Sequence, residues 1–160
     1  MTGNPPPPAT PPGDEEVLDS PTAWVARHIR TYVESGGTKG HTFHGMPTLL
    51  LTTRGRKSGK LRRTALIYGR DAERFLLVAS NGGASHDPAW YLNLQEHPEV
   101  TVQAGAETFT GRARTASAAE KPDLWRRMAA IFPQYDSYQD KAGRDIPLVI
   151  VERDEEPGPS

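Results

Sequence analysis

The stretch Thr53-Arg54-Gly55-Arg56-Lys57-Ser58-Gly59-Lys60-Leu61-Arg62-Arg63 carries six basic residues and no acidic one, with two glycines and a serine among them. It lies between two apolar runs, Thr48 to Thr53 and Thr64 to Tyr68, and reads as the tip of a β-hairpin. Such a tip presents side-chain cations and backbone N–H groups together, which suits a multiply charged anion. Most charge runs are simply solvated. Here the single sign, and glycines that permit close approach, favour a binding loop.

Two familiar phosphate motifs do not account for it. Between Gly55 and Gly59-Lys60 there are three residues where a P-loop needs four, and Leu61 stands where a Ser or Thr would hold magnesium. No G-x-G-x-x-G follows a strand, so the dinucleotide fingerprint is missing as well.

Outward from the tip, β-rich runs bounded by turn residues continue. Thr64 to Tyr68 and Phe75 to Ser80 predict an antiparallel meander with Leu49 to Thr53. Ser80-Asn81-Gly82-Gly83-Ala84-Ser85 is a small, glycine-rich segment that lets backbone approach a flat ligand. Asp87-Pro88 starts a helix over Ala89 to Leu94 that ends near His97-Pro98. Val100 to Gln103 and Thr108 to Arg114 form a second hairpin. Ser117 and Glu120 predict a capping box before a helix carrying Leu124, Trp125, Met128 and Phe132, which stops at Pro133. Tyr135 and Tyr138, three apart, would share a face on a helical turn. Ile146 to Val151 closes the sheet.

Before the tip, Ser20-Pro21 predicts a helix start, and Trp24, Val25, His28, Ile29, Tyr32 and Val33 recur at helical spacing up to Gly36-Gly37. This amphipathic helix fits packing on the domain, and it also fits rest on a membrane surface. The order of elements predicts a mainly β, α+β domain: a small split β-barrel of about six antiparallel strands with flanking helices.

Seven of the 15 prolines fall in the first 21 residues, with Asp14, Glu15, Glu16 and Asp19. Residues 1–21 and 152–160 therefore read as disordered acidic tails around a folded domain at 22–151. That domain holds 18 of the 19 Lys/Arg but only 12 of the 20 Asp/Glu, a net charge of +6 hidden inside a total of −1. A basic body is consistent with an anionic ligand. The chain has no cysteine, which excludes disulfides, thiolate metal sites and thiol catalysis. His41 and His44 lack further ligands nearby in sequence, so no metal is expected. No apolar run spans a bilayer and no signal peptide is evident, so the expected location is cytoplasmic, with peripheral contact at the inner face of the membrane as the further possibility.

Thr53 to Gly59 with Arg62, Ser80 to Gly83, Pro88 to Leu94, and Tyr135 to Tyr138 with Ile146-Pro147 together resemble the deazaflavin-dependent nitroreductase and F420H2-dependent quinone reductase family of actinobacteria. The resemblance covers residues 46 to 152. It implies an FMN-binding-like split barrel that binds coenzyme F420, a deazaflavin with a phosphodiester-linked oligoglutamate tail. It implies that Arg56, Lys57, Ser58, Arg62 and Arg63 grip that tail. Thr64, Ala65, Leu66 and Ile67, with Val78, Ala79, Ser80 and Asn81, would line the ring. Ala89, Trp90, Tyr91, Leu92 and Asn93 would hold the phosphate and ribityl side. Tyr135 would close over the ring, and Tyr135, Ser80 and Tyr138 would be the catalytic group. The expected reaction is hydride transfer from F420H2 to a quinone or another electron-poor acceptor. Phe132 and Asn81 stand where the nitro-reducing relative has tyrosine and lysine, which favours the quinone over a nitro compound; Ala65 also replaces a proline. The alternatives are an FMN-dependent barrel enzyme and a non-catalytic F420 carrier. Nucleic acid ranks last because aromatics do not interleave with the cations. Split barrels often pair, so a homodimer is an expectation.

Overall fold

A computed structural model describes residues 17–20, 22–43 and 45–154. Most of the predicted 1–21 tail, His44, and residues 155–160 of the predicted C-terminal tail lie outside them.

The strands flanking the basic turn are longer than the apolar runs suggest. β3 (Met46–Arg54) and β4 (Leu61–Ile67) pair antiparallel from Thr48–Ile67 to Arg54–Leu61. Arg54, Arg62 and Arg63 therefore belong to the ladder, and Gly55 to Lys60 alone make the turn. β3 also pairs with β7 (Glu99–Ala104), which forms a hairpin with β8 (Glu107–Thr115). β8 pairs with β9 (Leu148–Arg153), β9 with β6 (Arg74–Val78), and β6 with β5 (Gly69–Asp71). β1 (Val17–Asp19) joins β4 in parallel, and β2 (Thr42–Phe43) pairs with the start of β3. The sheet runs as an open path β1-β4-β3-β7-β8-β9-β6-β5 with β2 beside β3.

The fold is α+β, with nine strands among the described residues where the sequence predicts about six. The additional three, β1, β2 and β5, have two or three residues each, too few to leave a periodic signal. β1 starts inside the predicted 1–21 tail and β9 ends inside the predicted 152–160 tail. Pairing orders both extensions: Asp19 stands opposite Arg63, and Arg153 opposite Gly111. Four α-helices form among the described residues, α1 (Ala23–Glu34), α2 (Ala89–Glu96), α3 (Lys121–Ile131) and α4 (Gln134–Ala142). Pro133, which cannot continue α3, opens α4.

Strand alternation distributes three apolar clusters. Leu49 and Leu51, Phe75 and Leu77, Val100 and Val102, and Val149 and Val151 turn one way, onto Tyr91 and Leu94 of α2. Leu76, Val78, Leu148 and Ile150 turn the other way, onto Leu124 and Met128 of α3 and Tyr135 of α4. Leu50 turns out onto Ile29 and Tyr32 of α1. Burial on both faces explains why these strands read as continuous apolar runs. The Tyr32 hydroxyl lies 3.0 and 3.2 Å from the Thr48 and Gln103 carbonyls and accepts the Gly105 N–H at 2.6 Å, pinning α1 across β3 and β7. Trp24 and Val33, read from the spacing as part of the apolar face, are 55% and 40% exposed. No helix of the described residues is long and apolar enough to cross a membrane.

Candidate active site

The basic turn is built by local hydrogen bonds. The Gly55 N–H donates to the Lys60 carbonyl at 2.7 Å and the Gly59 N–H to the Gly55 carbonyl at 2.9 Å. A Cβ on Gly55 would stand 2.6 Å from the Ser58 hydroxyl, so the turn closes tightly only with glycine there. Arg54 Nη1 donates to the Gly59 carbonyl at 2.5 Å. A remote residue completes the anchor. Asn93 Oδ1, on α2, accepts from the Arg56 backbone N–H and from Arg56 Nη1, both at 3.1 Å, while its Nδ2 donates to Thr53 Oγ1 at 3.4 Å.

The cations are not equivalent. Arg63 donates to Asp19 Oδ1 at 2.7 Å, so β1 partly neutralises it. Lys57 and Arg62 make no ion pair or side-chain hydrogen bond among the described residues, and both line a cleft of about 400 Å³. Ser58, Thr64, Ala89, Trp90 and Asn93 line it too. Uncommitted cations on an ordered turn are available to an anion without first breaking a protein contact.

A second cleft, of about 380 Å³, shares Ser20, Thr64 and Trp90 with the first. One wall is Thr64, Ala65, Leu66 and Ile67 of β4. Val78, Ser80, Asn81 and Gly82 form another, and Phe132, Tyr135 and Tyr138 a third. Tyr135 is 5% exposed, its ring edge-on to Phe132 at 4.9 Å and 6.5 Å from Tyr138. Burial, with Tyr138 adding to it, pushes the Tyr135 hydroxyl far above its ordinary pKa. That hydroxyl makes no hydrogen bond among the described residues, and neither does the Ser80 hydroxyl. The Tyr138 hydroxyl is engaged by Gln134 Oε1 at 3.3 Å. Asn81 holds a left-handed φ of 48° and folds its amide back onto the His86 carbonyl at 3.1 Å.

Three residues that the resemblance places at the cofactor line neither cleft. Ala79 continues the inward alternation of Phe75 and Leu77 and is fully buried. Tyr91 lies on the core side of α2, its hydroxyl 2.7 Å from Thr115 Oγ1. Leu92, half-buried, does not line the cleft that Ala89, Trp90 and Asn93 line. Successive residues of a helix point about 100° apart, so a run of five cannot all face one ligand. Asn93 reaches the first cleft, but its polar atoms are spent on the turn.

Conversely, Trp24, Val25 and His28 of α1 wall the second cleft, a role absent from the sequence reading. Their spacing showed a helix face, but not what that face covers. His28 Nε2 lies 2.7 Å from the Gly40 carbonyl. Arg144, which no sequence motif marked, holds the loop between β6 and α2.

A cationic cleft opening into an aromatic one suits a long ligand that is flat at one end and anionic at the other. Residues 24–153 match the F420H(2)-dependent quinone reductase family, and the chain belongs to it. This is a family of oxidoreductases that use reduced coenzyme F420. An F420H(2)-dependent quinone reductase of Mycobacterium tuberculosis is 33% identical over 144 residues, covering 81% of this chain and 96% of its own. The solved F420-H2 dependent reductase FDR-A superposes with a TM-score of 0.62 at 37% identity, over 66% of this chain and 94% of that one. Another solved chain, described as a domain-swapped dimer, gives a TM-score of 0.65 at 36% identity, over 83% of this chain and all of that one. The residues present fit the cofactor in kind: Lys57 and Arg62 suit a polyanionic tail, and the aromatic cleft suits a planar ring.

Proposed function

We propose that this chain reduces a quinone, or another electron-poor acceptor, using reduced F420. The observation that carries the reading is the continuity of the two clefts through Thr64 and Trp90, with free Lys57 and Arg62 at one end and the unpartnered Tyr135 hydroxyl at the other. Arg56, Lys57, Ser58 and Arg62 would hold the tail, with Arg63 partly occupied by Asp19. Thr64 to Ile67, Val78, Ser80 and Asn81 would flank the ring, with Ala89 and Trp90 at the junction.

Reduced F420, when bound, supplies a hydride to the acceptor. The chain's own residues orient and stabilise. Tyr135 stays protonated across the working pH range because burial disfavours its phenolate. Its protonated hydroxyl can therefore donate a hydrogen bond to the acceptor oxygen where negative charge develops. Ser80 stands on the loop wall with a free hydroxyl and acts in the same sense. Phe132 and Tyr138 exclude water from one side, and Trp24 and Val25 from another.

The finer fold is a split barrel, supported by the convergence of inward residues from β3, β6, β7, β8 and β9 on one core. A homodimer is supported by the dimeric solved relative. Exposed Trp24, near the N-terminal end of α1, favours a peripheral contact with a membrane surface where apolar quinones partition.

The test is a fluorescence titration with F420 and, in parallel, FMN, followed by menadione reduction with F420H2. Tight F420 binding, negligible FMN binding and quinone turnover are expected. Preference for FMN would overturn the tail-binding role of the turn, and binding without turnover of any acceptor would make the protein a carrier.

A further inference from the structure

Arg144 lies between α4 and β9, outside every motif in the sequence and outside the lining of both clefts. Its side chain is only 16% exposed. Nε donates to the Ala84 carbonyl at 3.1 Å and Nη1 to Asp87 Oδ1 at 2.6 Å. Nη2 lies 3.2, 3.3 and 3.1 Å from the carbonyls of Ala79, Ser80 and His86. Every acceptor falls within residues 79–87, the connection from β6 to α2. A planar fork with five N–H groups can span such a loop, whereas a lysine ammonium is a point donor.

The other end of this clamp is α4. Gln139 Nε2 donates to the Arg144 carbonyl at 2.5 Å, and Gln139 Oε1 accepts the Ile146 N–H at 2.9 Å. The loop also lies directly against α4, where a Cβ on Gly83 would stand 3.2 Å from Tyr138 Cα. Two walls of the aromatic cleft, Ser80 to Gly82 and Tyr135 to Tyr138, are thus joined by the packing of Gly83 on Tyr138 and by Arg144, whose side chain holds the loop while Gln139 of α4 holds its backbone.

We infer that Arg144 is a positioning residue that sets the separation of these two walls, and through it the alignment of acceptor and cofactor between Ser80 and Tyr135. The inference rests on the proposed function only in naming what fills the cleft, because the clamp on residues 79–87 belongs to the chain itself.

The experiment compares wild type, Arg144→Gln, Arg144→Lys and Asp87→Asn by hydrogen exchange of the apoprotein, F420 titration and menadione kinetics. In Arg144→Gln, amides of residues 80–87 should exchange about tenfold faster while β9 keeps its protection. The F420 Kd should stay within about threefold, because the turn and not the clamp holds the anion. The kcat should fall about 10- to 100-fold and the menadione KM should rise, as expected for misaligned reactants. Arg144→Lys should recover part of the rate by reaching Asp87, and Asp87→Asn should fall between wild type and Arg144→Gln. Unchanged exchange at 80–87 in folded variants would overturn the clamp. Faster exchange with unaltered kcat and KM would reduce it to a purely structural bond. If Arg144→Gln does not fold, the Lys and Asp87→Asn variants carry the same comparison. If wild type binds no F420 and reduces no quinone, the proposed function fails, and the exchange data alone decide the clamp.

Discussion

Replacing Asn93 by leucine tests whether the anion site is prebuilt by α2. The side chain is 5% exposed, and its Oδ1 holds both the Arg56 backbone N–H and the Arg56 guanidinium at 3.1 Å. A hydrogen bond to a charged group contributes about 1.5–3 kcal/mol and a neutral one about 0.5–1.5 kcal/mol. The third bond, 3.4 Å from Thr53 Oγ1, is long and adds little. Leucine of similar size returns about 1–2 kcal/mol through apolar burial. The net loss is about 2 kcal/mol, which for a domain of this size lowers Tm by about 6–10 °C. With Arg56 released, the turn must be reordered on binding, and the F420 Kd should rise about tenfold, equivalent to about 1.4 kcal/mol. Thermal melts by circular dichroism and fluorescence titrations read the two effects. Asn93→Asp keeps the acceptor and should recover most of the Tm but not the affinity, because its charge neutralises Arg56 and repels an anionic tail. A Tm within about 1 °C of wild type together with an unchanged Kd would refute the idea that α2 organises the turn.

Further outcomes are expected at Lys57 and Arg62, at Tyr135 and at Glu120. Lys57→Gln and Arg62→Gln should each weaken F420 binding about five- to thirtyfold at low ionic strength and less at 0.5 M salt, since exposed charges are screened; salt-independent losses would argue against a Coulombic role. Tyr135→Phe should slow quinone reduction about 10- to 100-fold with F420 affinity retained. The raised Tyr135 pKa also stabilises the fold fully below pH about 10 and progressively less above it, where the unfolded phenol ionises first. Alkaline unfolding should therefore be shallower in Tyr135→Phe. Glu120 accepts hydrogen bonds from Arg114 and from the Ser117 backbone, which hold its carboxyl well below the usual range. Its contribution is present above the ordinary carboxylate pKa and is lost as pH falls below it, so Glu120→Gln should lower Tm at pH 7 and flatten the acid limb of Tm against pH.

The turn, the strands and the helices are local matters, and the amino-acid order carries them. Six cations between two β-rich runs announce the hairpin, and the reciprocal bonds of Ser117 and Glu120 appear where the capping pattern puts them. Alternation in β3, β6 and β9 likewise tells which side chains share a face. What covers each face is a different question, because periodicity names a direction and not a neighbour. Asn93 grips Arg56 from 37 residues away, and Arg144 grips Ser80 from 64 residues away. α1 became a wall of the aromatic cleft, while Ala79, Tyr91 and Leu92 do not line it. Such contacts depend on how helices and sheet settle against one another, and a local pattern holds no record of a partner that packing brings in from elsewhere in the chain.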